Sequence, residues 1–172
     1  MTKVINLFGQ PCSGKSTLAT GLFYDMKMRG LNVELVTEWC KEKVYEKAPY
    51  PFKDQLYTFA KQHKKVRQLI DVVDFIVSDS PIVQGLVYAE NEPPLFSEMV
   101  LQYFNQYDNL NILLKPTHAY HNEGRLQTEA EASRIGDNIE NMLITHNIPY
   151  IVLPTKQALE NILEILKEVG IL

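Results

Sequence analysis

Apolar residues in this chain gather in short runs, and the spacing within the runs switches between that of a strand and that of a helix. Val4-Ile5-Asn6-Leu7-Phe8 is a β-branched and aromatic run halted by Gly9, which predicts a buried strand. Residues 15–29 place Leu18, Leu22, Phe23 and Met26 at helical spacing before Gly30 closes the element. Residues 32–36 read as a second strand. An opening of strand, loop, helix and strand predicts a parallel sheet crossed by a helix.

The pattern continues with helices over 38–47 and 53–72, parted by Pro49 and Pro51. A third strand is expected at 74–78, around Phe75-Ile76-Val77. Helices over 82–89 and 95–107 flank Pro93-Pro94, and a fourth strand at 111–114 stops near Pro116. Thr128 and Glu131 have the spacing of a capping box, opening a helix that runs to about His146. A fifth strand is expected at 150–153. The last helix begins near Thr155 and is expected to bury Leu159, Ile162, Leu163, Leu166 and Val169. These elements predict an α/β three-layer sandwich, with a five-stranded parallel sheet in one domain over residues 1–172. In such sheets ligands lie beyond the carboxyl ends of the strands, so the loops following the strands are where chemistry is sought.

Composition narrows the field. The 172 residues are 45% hydrophobic and 22% charged, enough apolar material for a buried core. A net charge of -4 argues against a broad basic footprint on duplex DNA. Cys12 and Cys40 are too few for a disulfide framework, and a reduced cytoplasm is the simpler setting. The apolar run before Gly9 is too short for a signal-peptide core or a membrane span, so a cytoplasmic protein without membrane contact is expected. His63, His118, His121 and His146 are scattered and make no zinc pattern with the cysteines.

One motif is complete. Gly9-Gln10-Pro11-Cys12-Ser13-Gly14-Lys15-Ser16 fits G-x-x-x-x-G-K-[ST], directly after a strand and opening a helix. Its backbone N–H groups would wrap a polyphosphate at the positive end of the helix. Lys15 would add a mobile charge at the outer phosphates, and the Ser16 hydroxyl would ligate magnesium. The nucleotide-binding set is therefore Gly9, Pro11, Cys12, Ser13, Gly14, Lys15, Ser16 and Thr17, with ATP and Mg2+ as cofactors.

Other candidates follow from the sheet rule. Asp79, after the third strand, is placed to serve the metal near Ser16, though an Asp before Ser80-Pro81 also suits a helix cap. Glu38, just past the second strand, is placed to accept or orient an acceptor proton, and equally to complement a helix dipole. Arg125 lies in a polar, glycine-containing segment, 116–127, that reads as a lid bringing an arginine to the transferring phosphoryl group. Arg134 is a second, lesser candidate. Lys61, Lys64, Lys65 and Arg67 form a basic stretch, either a solvated face or a local patch for an anion. Among Trp39, Tyr45, Tyr50, Phe52 and Tyr57, most read as core, with Trp39 or Tyr57 available to stack on a base.

Taken together, the 9–16 loop, Glu38, Asp79-Ser80-Pro81, and Gly124-Arg125 before Thr128-Glu129-Ala130-Glu131 resemble a group of small P-loop kinases. The group includes the nicotinamide riboside kinase-like and thymidylate kinase-like proteins, many of them phage-encoded. It is similar in plan to phage kinases acting on hydroxymethylated pyrimidines in DNA. The resemblance implies that Lys15 and Ser16 bind ATP and magnesium, Asp79 serves the metal, Glu38 the acceptor and Arg125 the lid. The chain departs from the group at Lys41, where an arginine is common and a bidentate phosphate contact would otherwise be made. The leading expectation is phosphoryl transfer from ATP to a nucleoside- or nucleotide-like small molecule. A kinase acting on a modified base in DNA is the second reading, and a nucleotide-hydrolysing switch without an acceptor is the third.

Overall fold

The computed structural model describes residues 2–46, 54–120 and 127–171. Strand β1 (Lys3–Phe8) is its central strand and alternates between two cores: Val4 and Phe8 join one, Ile5 and Leu7 the other, and none of these four is more than 2% exposed. The remaining strands are β2 (Val33–Val36), β3 (Phe75–Ser78), β4 (Asp108–Lys115) and β5 (Ile151–Pro154). All pairings are parallel, in the order β2-β3-β1-β4-β5. The predicted five-stranded parallel α/β sandwich is the fold observed.

Helix α1 (Lys15–Met28) buries Leu18, Leu22 and Met26 against one face of the sheet, and α6 (Ala158–Glu168) adds Ile162 and Leu166. The opposite face is covered by α3 (Gln55–Arg67), α4 (Pro94–Phe104) and α5 (Glu129–Thr145), through Phe59, Val100, Ile139 and Leu143. Helix α2 (Trp39–Tyr45) follows β2. Capping fixes two of the helix starts. Asp54 accepts a hydrogen bond from the Tyr57 N–H at 2.8 Å, and Thr128 with Glu131 closes the expected capping box.

Several boundaries differ from the sequence expectation. The helix expected over 53–72 ends at Arg67, and the chain then turns through a left-handed Asp71 with φ 61°. The helix expected over 95–107 ends at Phe104, and residues 82–88 form a 3₁₀ helix (Ile82–Tyr88). Strand β4 starts at Asp108, three residues before the apolar run. Asn6 donates to the side-chain oxygens of Asn109 at 2.8 Å and Asn111 at 3.0 Å, so a polar ladder continues the strand where hydrophobicity gives no signal. Thr155–Gln157 is a 3₁₀ turn ahead of α6, and Val169, expected in the core, is 61% exposed beyond the helix end.

Candidate functional site

Ser78, the last residue of β3, is paired with Asn6 of β1 on one side and with Val36, the last residue of β2, on the other. That register gathers three loops at the carboxyl edge of the sheet: residues 9–14 after β1, Thr37 and Glu38 after β2, and Asp79 to Pro81 after β3.

The 9–16 loop turns tightly. Gly9 has φ 150°, and a Cβ there would lie 2.6 Å from Ser13 Oγ and 3.0 Å from the Leu114 carbonyl oxygen. Gly14 has φ 84° and stands at the N-cap of α1, where a Cβ would lie 2.7 Å from Thr155 Cγ2. Both positions require glycine on backbone and on space. Cys12 adopts φ 63° between them, a conformation that costs a non-glycine residue energy and recurs in ligand-holding loops. Gly14 offers no side-chain cap and the first turn of α1 carries no acid, so the positive end of this helix is not compensated locally. The Lys15 ammonium donates to the carbonyls of Gly9 at 2.7 Å and Gln10 at 2.9 Å, folded over its own loop. Thr17, Pro11 and Ser16 lie on the same turn, Thr17 exposed and the other two half-buried.

Two contacts that the sequence did not announce hold this loop. The Thr155 hydroxyl lies 2.8 Å from the Ser13 carbonyl oxygen and 3.0 Å from that of Lys115, bridging the loop to the end of β4. Gly136, inside α5, brings that helix against Gln10, since a Cβ would lie 2.8 Å from Gln10 Oε1. A lone glycine within a helical pattern was the available sign of such a close approach. For Thr155 no sign existed, because its partner is 142 residues away.

Asp79 is 3% exposed, and its backbone N–H donates to the Val36 carbonyl at 3.3 Å. Its Oδ1 is buried without a hydrogen-bond partner. Two other buried side-chain atoms among the described residues share that condition: Ser13 Oγ in the loop, and Gln84 Oε1 in the 3₁₀ helix. A buried, partnerless polar atom costs ~1–3 kcal/mol, and native proteins hold few of them. All three line the carboxyl edge of the sheet or the cavity that adjoins it. An unpaired buried carboxylate oxygen at the carboxyl end of β3 suits a hard divalent cation, which takes oxygen ligands.

That cavity, of about 250 Å³, is lined by Glu38, Gln55, Gln84, Gly85, Tyr88 and Gln127, with Cys40, Thr58, Gln62 and Ser80 completing it. Gln62 is a brace: its amide accepts from the Trp39 N–H at 2.9 Å and donates to the carbonyls of Ser80 at 3.1 Å and Thr37 at 3.4 Å, tying the β2 and β3 loops together. Tyr88 keeps 41% of its surface open, yet its phenol pKa is pushed up to about 12, chiefly by burial of the hydroxyl end and further by Glu38 and Cys40. The phenol is therefore a neutral hydrogen-bonding group at any physiological pH. Burial also raises the Cys40 pKa, Glu38 adds to this and the Thr58 contact at 3.8 Å opposes it, so Cys40 rests as a thiol.

The other sequence candidates fall as follows. Arg125 lies outside the described residues, as do Tyr50 and Phe52. The described ends of the 116–127 segment come together, with the Tyr120 hydroxyl donating to the Gln127 carbonyl at 2.7 Å, and His118 approaches the space above Gly14. Arg134 is exposed on α5. Trp39 and Tyr57 pack edge to face with centroids 5.4 Å apart, and the aromatic residue lining the cavity is Tyr88 instead. The basic stretch divides: Lys65 donates to the Thr37 carbonyl at 2.7 Å, Lys61 lies over Tyr57, and Lys64 and Arg67 edge a separate groove. No cluster of three or more metal-ligating His, Cys, Asp or Glu residues occurs among the described residues, and none of the described helices is long and apolar enough to cross a membrane.

Comparison with known proteins bears on the fold. A family model described as an AAA domain matches residues 4–161. No match is found among curated proteins. Among solved structures, a deoxyadenosine kinase from M. mycoides with the products dCMP and a flexible dCDP bound superposes with a TM-score of 0.60 at 18% identity, covering 96% of this chain and 99% of that one. The same kinase with bound dATP gives 0.59 at 17% identity, covering 95% and 99%. The NadR protein in complex with NR gives 0.62 at 19% identity, covering 88% of this chain but 45% of that longer one. At these identities the likeness is one of fold, and the fold is that of the P-loop kinases.

Proposed function

The chain belongs to the AAA domain family, and from that premise we propose that it is a magnesium-dependent phosphotransferase moving the γ-phosphoryl group of ATP to a hydroxyl of a nucleoside-like small molecule. The observation that supports this reading is a set of three partnerless buried atoms: Ser13 Oγ in the loop after β1, Asp79 Oδ1 after β3 and Gln84 Oε1 in the adjoining cavity. In this reading the donor, a cation and the acceptor would each meet one of them. The structural neighbours bind dATP, dCMP or NR by their own descriptions, and these are ligands of the same chemical kind.

In this reading the loop N–H groups and the amino end of α1 hold the phosphates of the donor. The Lys15 ammonium leaves the Gly9 and Gln10 carbonyls for the outer phosphates, where charge builds during transfer. Ser16 and Asp79 are the residues that would hold magnesium, which when bound neutralises phosphate charge. Glu38 enters the cavity from the end of β2, on the side where an acceptor hydroxyl would approach, and takes or orients its proton. Arg125 closes with the 116–127 segment and offsets charge on the transferring group. Gln55, Gln84 and Gln127 supply amide donors and acceptors to the edge of a base, and Tyr88 a neutral hydroxyl.

The test is an acceptor panel. The protein is incubated with γ-labelled ATP and magnesium, against nucleosides, nucleoside monophosphates, and oligonucleotides with and without hydroxymethylated bases. Label is expected in a free nucleoside. Label confined to a hydroxymethylated oligonucleotide would instead make this a DNA kinase, and label released only as inorganic phosphate would make it a hydrolytic switch.

A further inference from the structure

The two peptide groups on either side of Glu38 are both held by side chains of α3. Helix α2 begins at Trp39, and the start of a helix leaves backbone N–H groups that need partners from outside it. The Trp39 N–H donates to Gln62 Oε1 at 2.9 Å, so its partner is 23 residues away. On the other side of Glu38, the Thr37 carbonyl accepts from the Lys65 ammonium at 2.7 Å and from Gln62 Nε2 at 3.4 Å. The same ammonium lies 3.1 Å from the Thr37 hydroxyl. Gln62 and Lys65 are three residues apart on α3, so one face of that helix grips the turn after β2 at both ends.

Gln62 also lines the acceptor cavity, yet it is spent before a ligand arrives. It is 5% exposed, its oxygen accepts from Trp39, and its two N–H donors go to Thr37 and to the Ser80 carbonyl at 3.1 Å. Gln84, whose Oε1 has no partner, is the contrast in the same cavity. Ser80 follows Asp79 directly, so the amide that fixes the turn carrying Glu38 also fixes the turn carrying Asp79.

We propose that Gln62, assisted by Lys65, is the positioning residue for Glu38: it pins the peptide groups on both sides of that carboxylate and holds it in a fixed relation to Asp79. Gln62 acts through these residues and touches neither donor nor acceptor. Its consequence for catalysis rests on the phosphotransferase reading; the clamp rests on the hydrogen bonds alone. A reacting group displaced by about 1 Å can cost on the order of 100-fold in rate, so the loss belongs in kcat and not in affinity.

Trp39 is the only tryptophan of the chain, so its emission reports on this turn directly. Gln62→Met keeps the length of the side chain and removes its hydrogen bonds, and Lys65→Met is the milder change should the first variant not fold. In full-length proteins verified by circular dichroism, acrylamide quenching of Trp39 is expected to rise about 2-fold in either variant, as the turn opens more readily. With MgATP and the nucleoside that takes label in the acceptor panel, Gln62→Met is expected to lower kcat by about 10- to 100-fold while KM for both substrates stays within about 2-fold. Adding Glu38→Gln to Gln62→Met is expected to cost little more, because the carboxylate it removes is already misplaced. Unchanged quenching in both variants overturns the clamp. Losses that simply multiply in the double variant, or a change confined to KM, overturn the positioning role. Raised quenching with no label in any acceptor supports the clamp but removes its role in transfer, and with it the phosphotransferase reading.

Discussion

Asp79 keeps one buried carboxylate oxygen unengaged. The backbone N–H of that residue is engaged with Val36, its side chain is 3% exposed, and Oδ1 has no partner. The 3₁₀ helix that follows has Pro81 at its N-cap position and no side-chain cap, so the capping alternative open at the level of sequence is not seen there. The metal role asks for an unengaged oxygen. Asp79→Asn is expected to fold normally and to need about 10- to 100-fold more magnesium for half-maximal transfer, the range seen when a group supporting a metal is altered. A magnesium titration that overlays the wild type would remove Asp79 from the metal site. Cys40 is the converse, a residue that looks reactive and is kept a thiol by burial.

At the scale of elements, the phosphate loop is shaped from outside itself. Thr155, at the start of the turn after β5, holds the Ser13 and Lys115 carbonyls, while its methyl group leaves no room for a side chain at residue 14. The hydroxyl and the methyl can be separated by substitution. Thr155→Val keeps the packing against Gly14 and removes the hydrogen bond, worth ~1 kcal/mol, so MgATP affinity measured by calorimetry is expected to fall about 5- to 10-fold. Thr155→Ser keeps the hydrogen bond and is expected to restore that affinity. Equal affinity in wild type and Thr155→Val would assign Thr155 to packing alone. Such a tie could not be read from the chain, because nothing local in Pro154-Thr155-Lys156 distinguishes it from any turn after an edge strand. The elements themselves were legible wherever burial dictated composition, as in Val4 to Phe8 and Phe75 to Val77. They were not legible where polar side chains satisfied each other, as in the Asn6, Asn109 and Asn111 ladder that lengthens β4.

For the whole molecule, the parallel sheet brings the ends of β1, β2 and β3 to one edge, and so brings together residues 15, 38 and 79 that are far apart in sequence. The order of alternating elements was enough to anticipate that meeting, because ligands in such sheets lie at the carboxyl edge. The acceptor side was not anticipated in detail. Gln84, Gly85 and Tyr88 sit on a 3₁₀ helix read from sequence as an ordinary helical segment, and a cavity wall of neutral amides has no motif. The central claim is that the loop around Lys15 passes a phosphoryl group to an acceptor and does not merely hydrolyse ATP. The most direct measurement counts ADP formed and acceptor phosphorylated in one reaction, for the wild type and for Lys15→Ala verified as folded by circular dichroism. The expected result is one phosphorylated acceptor per ADP in the wild type, with both falling by about 100-fold or more in Lys15→Ala, the scale for removing one charge from a transition state. ADP accumulating without phosphorylated acceptor, or near-normal turnover in the folded Lys15→Ala protein, would contradict it.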